Sequence, residues 1–178
     1  SSPSRGLGDV YKRQDSAARL LEEARLRFDA HPTLVRQLGR VYLDMERPAT
    51  AARVFERAAR RDPSFALEAA ELYRRAGDTI RALGINAISN DTPGKTRQRL
   101  GLLIELSRFA EATGLEKRLA RLGVLKEDAL VYGLAYAHFQ LGNFRAAERL
   151  LKRIEDPSVF ERATHLRQAM VTCRNEGW

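Results

Sequence analysis

The chain has little cysteine, few aromatic residues and no long apolar run. Cys173 is the single cysteine among 178 residues, so no intrachain disulfide can form, which fits a reducing compartment. Aromatic residues make up 7% of the chain. No stretch approaches the roughly 18 consecutive apolar residues that a membrane-spanning helix requires. These residues therefore encode neither a disulfide-stabilised scaffold nor a spanning helix.

Residues suited to catalysis or metal binding are also sparse. The three histidines, His31, His138 and His165, never form the i, i+4 pair of a helical metal site. Cys173 has no neighbouring histidine to activate it, and the glycines form no phosphate-binding loop. The sequence therefore predicts no catalytic residue, no metal site and no cofactor. It favours a binding or structural protein over an enzyme.

What the chain does contain is typical of helices. It is 44% hydrophobic and 30% charged, and Ala, Leu, Arg and Glu dominate. These residues are among the strongest helix formers, so we predict an all-α protein. The formal net charge is +8 and the isoelectric point is about 10.1. A basic balance favours acidic partners, although an excess of Arg is also common on solvated helix faces.

One segment, residues 35–63, has a dense pattern of small and aromatic residues. We expect Gly39 to let a neighbouring helix approach closely, and Tyr42 and Phe55 to fill the gap between two helices. Pro63 has no N–H to donate and should stop the second helix. The full pattern is Leu38-Gly39-x-x-Tyr42, Ala51-x-x-x-Phe55, Ala58 and Pro63, with Val35 at its start.

This pattern resembles the tetratricopeptide repeat, a pair of antiparallel helices about 34 residues long, with Val35 in place of the usual Trp. Aligned on the small residue of the first helix, four units follow one another at spacings of 31, 31 and 34 residues. The resemblance implies a right-handed α-solenoid of helical hairpins. The residues taken as equivalent are Gly39, Ala70, Gly101 and Ala135.

The alignment predicts one repeat domain over residues 15–178. Residues 15–31 would be the second helix of a unit whose first helix is missing, so Leu20, Leu21 and Leu26 should lack cover and the helix should fray. Asn86 replaces an expected aromatic residue in the second complete unit. The expected units are residues 32–62, 63–92, 93–126 and 127–156, followed by a terminal helix over residues 157–174.

Residues 1–14 do not fit the repeat pattern of the rest of the chain. The hexapeptide Asp9-Val10-Tyr11-Lys12-Arg13-Gln14 can be encoded by GAT GTG TAT AAG AGA CAG, which is similar to a transposon end used to tag sequencing libraries. We therefore expect a translated adapter, with a disordered natural tail as the alternative. On this hypothesis the chain is a fragment of a longer bacterial repeat protein.

The resemblance also implies where a partner would bind, because these proteins usually hold ligands in the groove lined by first helices. In the first two units this places Thr33, Arg36, Arg40, Leu43, Ser64, Leu67, Glu71 and Arg74 in the groove. In the last two units it places Lys95, Gln98, Leu102, Glu105, Ala129, Tyr132, Tyr136 and Phe139 there. The candidate binding residues are Arg36, Arg40, Arg74, Gln98, Tyr132, Tyr136 and Phe139.

Chemistry separates these candidates into two groups. Arg36 and Arg40 lie one helical turn apart and could hold a carboxylate between them, although an exposed Arg pair is often only solvated. Tyr132, Tyr136 and Phe139 follow an i, i+4, i+7 spacing that suits either a groove-lining platform or helix packing. The Asn residues that some family members use to grip a terminal carboxylate are absent from the matching positions.

The sequence leaves three functions open. The first is a scaffold that binds a protein or peptide, favoured as acidic with an apolar anchor. The second is an RNA-binding helical repeat, suggested by the isoelectric point but weakened because no polar base-reading residue recurs in each unit. The third is a structural spacer within a larger envelope or secretion protein. A cytoplasmic or a periplasmic location fits equally, and the oligomeric state is not indicated.

Overall fold

A computed structural model of the chain describes residues 3–28 and 31–175, with side chains from residue 6 onward. Parts of the sequence predictions concern residues 1–2, Asp29 and Trp178, which lie outside the described residues. The described chain is helical and contains no strand, which confirms the all-α prediction. Its internal contacts divide it into two compact units, Ser1–Asn90 and Asp91–Trp178.

The first unit contains five α-helices and one short 3-10 helix among its described residues. Successive helices pack against each other from α1 to α5, and their interiors are lined by alanine and a few large apolar side chains such as Phe55 and Phe65. The helices are α1 (Pro3–Arg27), α2 (Pro32–Asp44), α3 (Pro48–Ala59), the 3-10 helix (Pro63–Phe65), α4 (Ala66–Arg75) and α5 (Thr79–Ile88).

The second unit centres on α9, which packs against α6, α7, α10 and α11. The second helix of its first hairpin is broken at Leu115 into two short segments, α7 and α8. The helices are α6 (Pro93–Glu105), α7 (Phe109–Gly114), α8 (Glu116–Arg121), α9 (Asp128–Gln140), α10 (Phe144–Leu151) and α11 (Pro157–Asn175).

Four hairpin turns share one geometry. Each contains a residue with positive φ: Glu46 (56°), Gly77 (84°), Ser107 (56°) and Gly142 (72°). The next backbone N–H then donates to a carbonyl five residues earlier, in the pairs Arg47 to Tyr42, Asp78 to Tyr73, Arg108 to Leu103 and Asn143 to His138. This is the hydrogen bond that satisfies a free carbonyl at a helix C-terminus. The shared bond provides a structural alignment of the four hairpins.

That alignment corrects the third unit by one residue. Leu100, not Gly101, is equivalent to Gly39, Ala70 and Ala135. Leu100 is 1% exposed, whereas Gly101 lies at the surface and a Cβ added to it would meet nothing within 4 Å. The predicted register was wrong because a Leu-Gly pair also occurs one position later than the structure requires.

Gly39 has the role expected from the sequence. A Cβ at this position would lie 2.2 Å from Cε2 of Phe55, so only glycine allows α3 to approach α2 this closely. Phe55 is 6% exposed and meets Phe65 edge-on, with 6.0 Å between the ring centroids. These contacts hold the first hairpin against the start of the second.

The N-terminal helix runs without a break through the boundary that the sequence suggested at residue 14. Pro3–Arg27 is one helix, Ala18 is buried, and the Glu22 carboxylate accepts a hydrogen bond from Tyr42 of α2. Leu20 and Leu26 are 67% and 75% exposed, as expected for a helix that lacks cover on one side, whereas Leu21 is half-buried. The adapter origin of residues 1–14 and the single repeat domain stay predictions.

Candidate partner-binding groove

A groove of about 490 Å³ lies between α2 and α4 in the first unit. It has a floor because α3 packs against both α2 and α4. One wall comes from α2, the other from α4, and α3 contributes to the floor. The lining residues are Arg36, Arg40, Leu43, Phe55, Leu67, Glu68, Glu71, Leu72 and Arg75.

The floor of the groove is apolar. Phe55 and Leu72 are 6% and 7% exposed and form its base. Leu67 is half-buried, and Leu43 is 38% exposed at the edge. An apolar side chain of a partner could therefore displace water here without leaving a polar group unpaired.

The predicted arginine pair lies on the α2 wall. The Arg36 guanidinium carbon is 5.5 Å from the centre of the Phe65 ring, a cation–π distance that orients the side chain. Arg40 is exposed and makes no hydrogen bond or ion pair within the described part of the chain. The α2 wall thus presents two guanidinium groups one turn apart.

The opposite wall carries two glutamates, Glu68 and Glu71, and Glu71 is paired with arginines of its own helix. Arg74 donates from Nε to Glu71 at 2.9 Å, and Arg75 donates to the other oxygen of the same carboxylate at 2.9 Å. These arginines lower the pKa of Glu71, with the Arg74 hydrogen bond as the main cause. Predicted as a groove residue, Arg74 is therefore a partner of Glu71, whereas Arg75 lines the groove. Glu68 is exposed beside them.

The predicted aromatic residues in the second unit are half-buried and each contacts a different helix. Arg162 of α11 lies 5.0 Å from the centre of the Tyr132 ring. Tyr136 meets Phe109 of α7 edge-on at 5.9 Å, and Phe139 lies 5.8 Å from Phe144 of α10. The structure brings these three residues to one helix but gives each a partner within the chain.

Gln98 is half-buried on α6 and is displaced by the corrected register. The residue equivalent to Arg36 is Arg97, which donates from Nε to Glu127 at 2.8 Å. Leu102, also expected in the groove, is 1% exposed and belongs to the core. The third unit therefore does not present the set of groove residues that the sequence alignment assigned to it.

Sequence reasoning missed a recurring carboxylate. In three hairpins, the residue whose carbonyl accepts the turn hydrogen bond also uses its side chain to bond a glutamate of the preceding helix. The pairs are Tyr42 and Glu22 at 3.0 Å, Tyr73 and Glu56 at 2.5 Å, and His138 and Glu116 at 2.9 Å. The glutamates lie 20, 17 and 22 residues upstream, so no fixed spacing indicates them. Burial, followed by the Glu56 hydrogen bond, raises the pKa of Tyr73 to about 12.

Among the described residues, no group of three or more His, Cys, Asp or Glu side chains could hold a metal ion. No helix in the described ranges is long and apolar enough to cross a membrane.

Comparison with known proteins supports the architecture rather than a function. No family model matches the chain, and no curated protein does. A crystal structure of MamA protein aligns with a TM-score of 0.63 and 10% identity, covering 92% of this chain and 88% of that one. A second structure, MamA MSR-1 C2, aligns with a TM-score of 0.61 and 19% identity, covering 89% and 90%. Both alignments support the all-α solenoid of helical hairpins that the structure shows.

Proposed function

We propose that this protein is a non-enzymatic scaffold that binds a peptide segment of a partner protein in the groove between α2 and α4. The observation that carries the proposal is the pairing of the exposed arginines Arg36 and Arg40 with the apolar floor of Phe55 and Leu72. The likeness to MamA adds support, because tetratricopeptide repeats commonly serve as protein-interaction scaffolds.

The two walls of the groove favour a particular kind of segment. A carboxylate of the segment would contact Arg36 and Arg40 through charge-assisted hydrogen bonds. An apolar side chain one or two residues away would enter between Leu43 and Leu67. Glu68 on the other wall favours a polar or basic residue beyond that anchor. The favoured segment is therefore amphipathic, with an acidic residue next to an apolar one.

A peptide library selected on the full chain tests the proposal. Enriched peptides should contain an Asp or Glu next to an apolar residue. Arg36→Gln/Arg40→Gln should weaken their binding at least tenfold in fluorescence anisotropy, because a hydrogen bond to a charged group contributes about 1.5–3 kcal/mol and 1.4 kcal/mol is tenfold in Kd. Leu43→Ala should weaken binding by a smaller factor, because it removes part of the apolar contact.

The matched control is Arg53→Gln/Arg57→Gln, which removes the same charge from α3 of the same unit and leaves the groove lining intact. It should bind the selected peptides like the wild type. Equal loss in both double variants would mean that net charge, not the groove, holds the peptides. Peptides that bind Arg36→Gln/Arg40→Gln at full strength would contradict the proposal.

A further inference from the structure

A second charged surface in the first unit lies on α3 and α5. We call it the α3 basic patch; it contains one acidic and five basic residues: Arg53, Glu56, Arg57, Arg60, Arg61 and Arg81. Arg53 and Arg57 lie one turn apart on the same face of α3, and Arg60 and Arg61 follow directly after its last residue. All five are exposed.

The net positive charge of the first unit equals the net positive charge of this patch. Residues 1–90 contain 16 Lys and Arg and 12 Asp and Glu. The patch holds five of the former and one of the latter, which leaves 11 of each sign in the rest of the unit. The net charge of this unit is therefore concentrated on one surface, formed by α3, the turn after it and α5, and is not spread evenly over the unit.

The single carboxylate is already occupied by the chain itself. Glu56 accepts from the Tyr73 hydroxyl at 2.5 Å and from Arg81 at 2.8 Å, and Arg60 lies 3.7 Å away. Arg53 bonds only the Thr50 hydroxyl, at 3.1 Å, and Arg57 has no hydrogen bond or ion pair in the described ranges. Two guanidinium groups one turn apart thus remain available to an external anion.

The lining of the patch indicates which anion fits. Binding hot spots of protein interfaces combine Arg with buried aromatic residues, and no aromatic or apolar side chain lines this surface. Single-stranded nucleic acid would require exposed aromatic rings for base stacking, whereas the ring that contacts the patch, Tyr73, is 3% exposed and lies 4.7 Å from the Arg81 guanidinium carbon. A duplex backbone needs only correctly spaced positive charge.

We infer that the α3 basic patch binds the phosphate backbone of a nucleic-acid duplex without reading its sequence. Such binding requires no base-reading residue in each repeat, so the absence of a recurring polar code does not oppose it. The patch lies apart from the groove lining, and the inference is independent of the proposed peptide binding.

Fluorescence anisotropy with a labelled 20-base-pair duplex and the full chain tests the inference. Neutralising about four phosphates gives a salt slope of roughly −3.6, so affinity should fall on the order of 100-fold between 50 and 200 mM salt. Arg53→Gln/Arg57→Gln removes two contacts, so its slope should fall to roughly −1.8 and its loss of affinity to on the order of tenfold. Circular dichroism checks that the variant keeps its helices.

The groove variant Arg36→Gln/Arg40→Gln is the matched control, since it lowers the net charge equally and should keep the wild-type slope. An equal change in both variants would overturn the inference, as would an unchanged slope in Arg53→Gln/Arg57→Gln. Absence of duplex binding at 50 mM salt would overturn it as well. Binding of polyglutamate but not of duplex, lost in the α3 variant, would reassign the patch to acidic proteins and also reject the inference.

Discussion

Equivalent repeat positions on α2 and α9, each the first helix of a hairpin, have very different surroundings. Arg36 and Arg40 of α2 border an open groove, where Arg36 lies over the Phe65 ring and Arg40 has no polar contact within the described chain. Tyr132 and Tyr136 of α9 occupy the equivalent positions but contact Arg162 and Phe109. Equivalent positions in a repeat therefore share a direction, while the neighbouring helices decide whether a position stays available to a partner.

A second comparison concerns the residue before each hairpin turn. Tyr73 in the first unit and His138 in the second both bond to a glutamate from the preceding helix, and an arginine shares each glutamate. Leu103, at the same position, has an apolar side chain and cannot make this bond. The carboxylate contact is thus a recurring way to join successive helices, and it can be replaced by apolar packing.

The largest effect should come from glycine substitutions that compare the two units. Gly39→Val should lower the free energy of unfolding by about 1–3 kcal/mol, because its Cβ would lie 2.2 Å from the buried Phe55 ring. Gly101→Ala in the second unit should raise it by about 0.5–1 kcal/mol, because helix propensity improves and nothing lies within 4 Å. Urea unfolding followed by circular dichroism measures both.

The two glycines therefore test the corrected alignment. If Gly101→Ala destabilises the protein as strongly as Gly39→Val, both glycines have the same packing role and the original register of the third unit is restored.

Particular residues also show how much of the structure could be predicted from the sequence. The helical hairpins, the close approach at Gly39 and the left-handed turn at Gly77 follow from local residue types, because a small residue and a glycine turn act within a few positions. The third unit was misaligned because Leu100-Gly101 satisfies the same pattern, and only contacts with other helices distinguish the two registers. Local patterns do not record which side chains a distant helix covers.

The candidate site illustrates the same limit. Arg36 and Arg40 could be found because their spacing alone places them on one side of α2. The partners of Tyr132 and Tyr136 lie 30 and 27 residues away on α11 and α7, and no spacing rule connects them. The α3 basic patch was also missed, since its concentration of charge depends on which of the unit's arginines are balanced by nearby carboxylates.

An intermediate effect should come from Tyr73, which sharpens the comparison of the residues before the turns. Tyr73→Phe removes the hydroxyl that donates to Glu56 and should lower the free energy of unfolding by about 1 kcal/mol at neutral pH. The raised pKa of about 12 means that the neutral phenol stabilises the fold. This contribution is complete below a pH of about 10, the ordinary pKa of tyrosine, and is lost as the pH rises to about 12.

Wild type should therefore lose stability between pH 10 and 12 more steeply than Tyr73→Phe, as measured by urea unfolding at each pH. Tyr132→Phe in the second unit is the control, because the Tyr132 hydroxyl makes no hydrogen bond in the described residues and its ring still faces Arg162. If the free energy of unfolding falls in parallel with pH for wild type and Tyr73→Phe, the contact with Glu56 does not depend on the protonation of the Tyr73 phenol.

The smallest effect should come from Arg162, and it tests whether α9 is closed by its own neighbour. Arg162→Ala should lower the free energy of unfolding by about 0.5–1 kcal/mol, because it removes the cation–π contact with Tyr132. A double-mutant cycle with Tyr132→Leu should return a coupling of similar size. If the half-buried aromatic residues serve packing alone, peptides selected on the wild-type chain should bind Arg162→Ala with unchanged affinity. The contrary outcome is that Arg162→Ala binds the peptides more tightly and Arg162→Ala/Tyr132→Leu loses this gain. α9 would then hold a second binding surface that α11 covers in the wild type. The contrast between an open α2 and an occupied α9 would fail in that case.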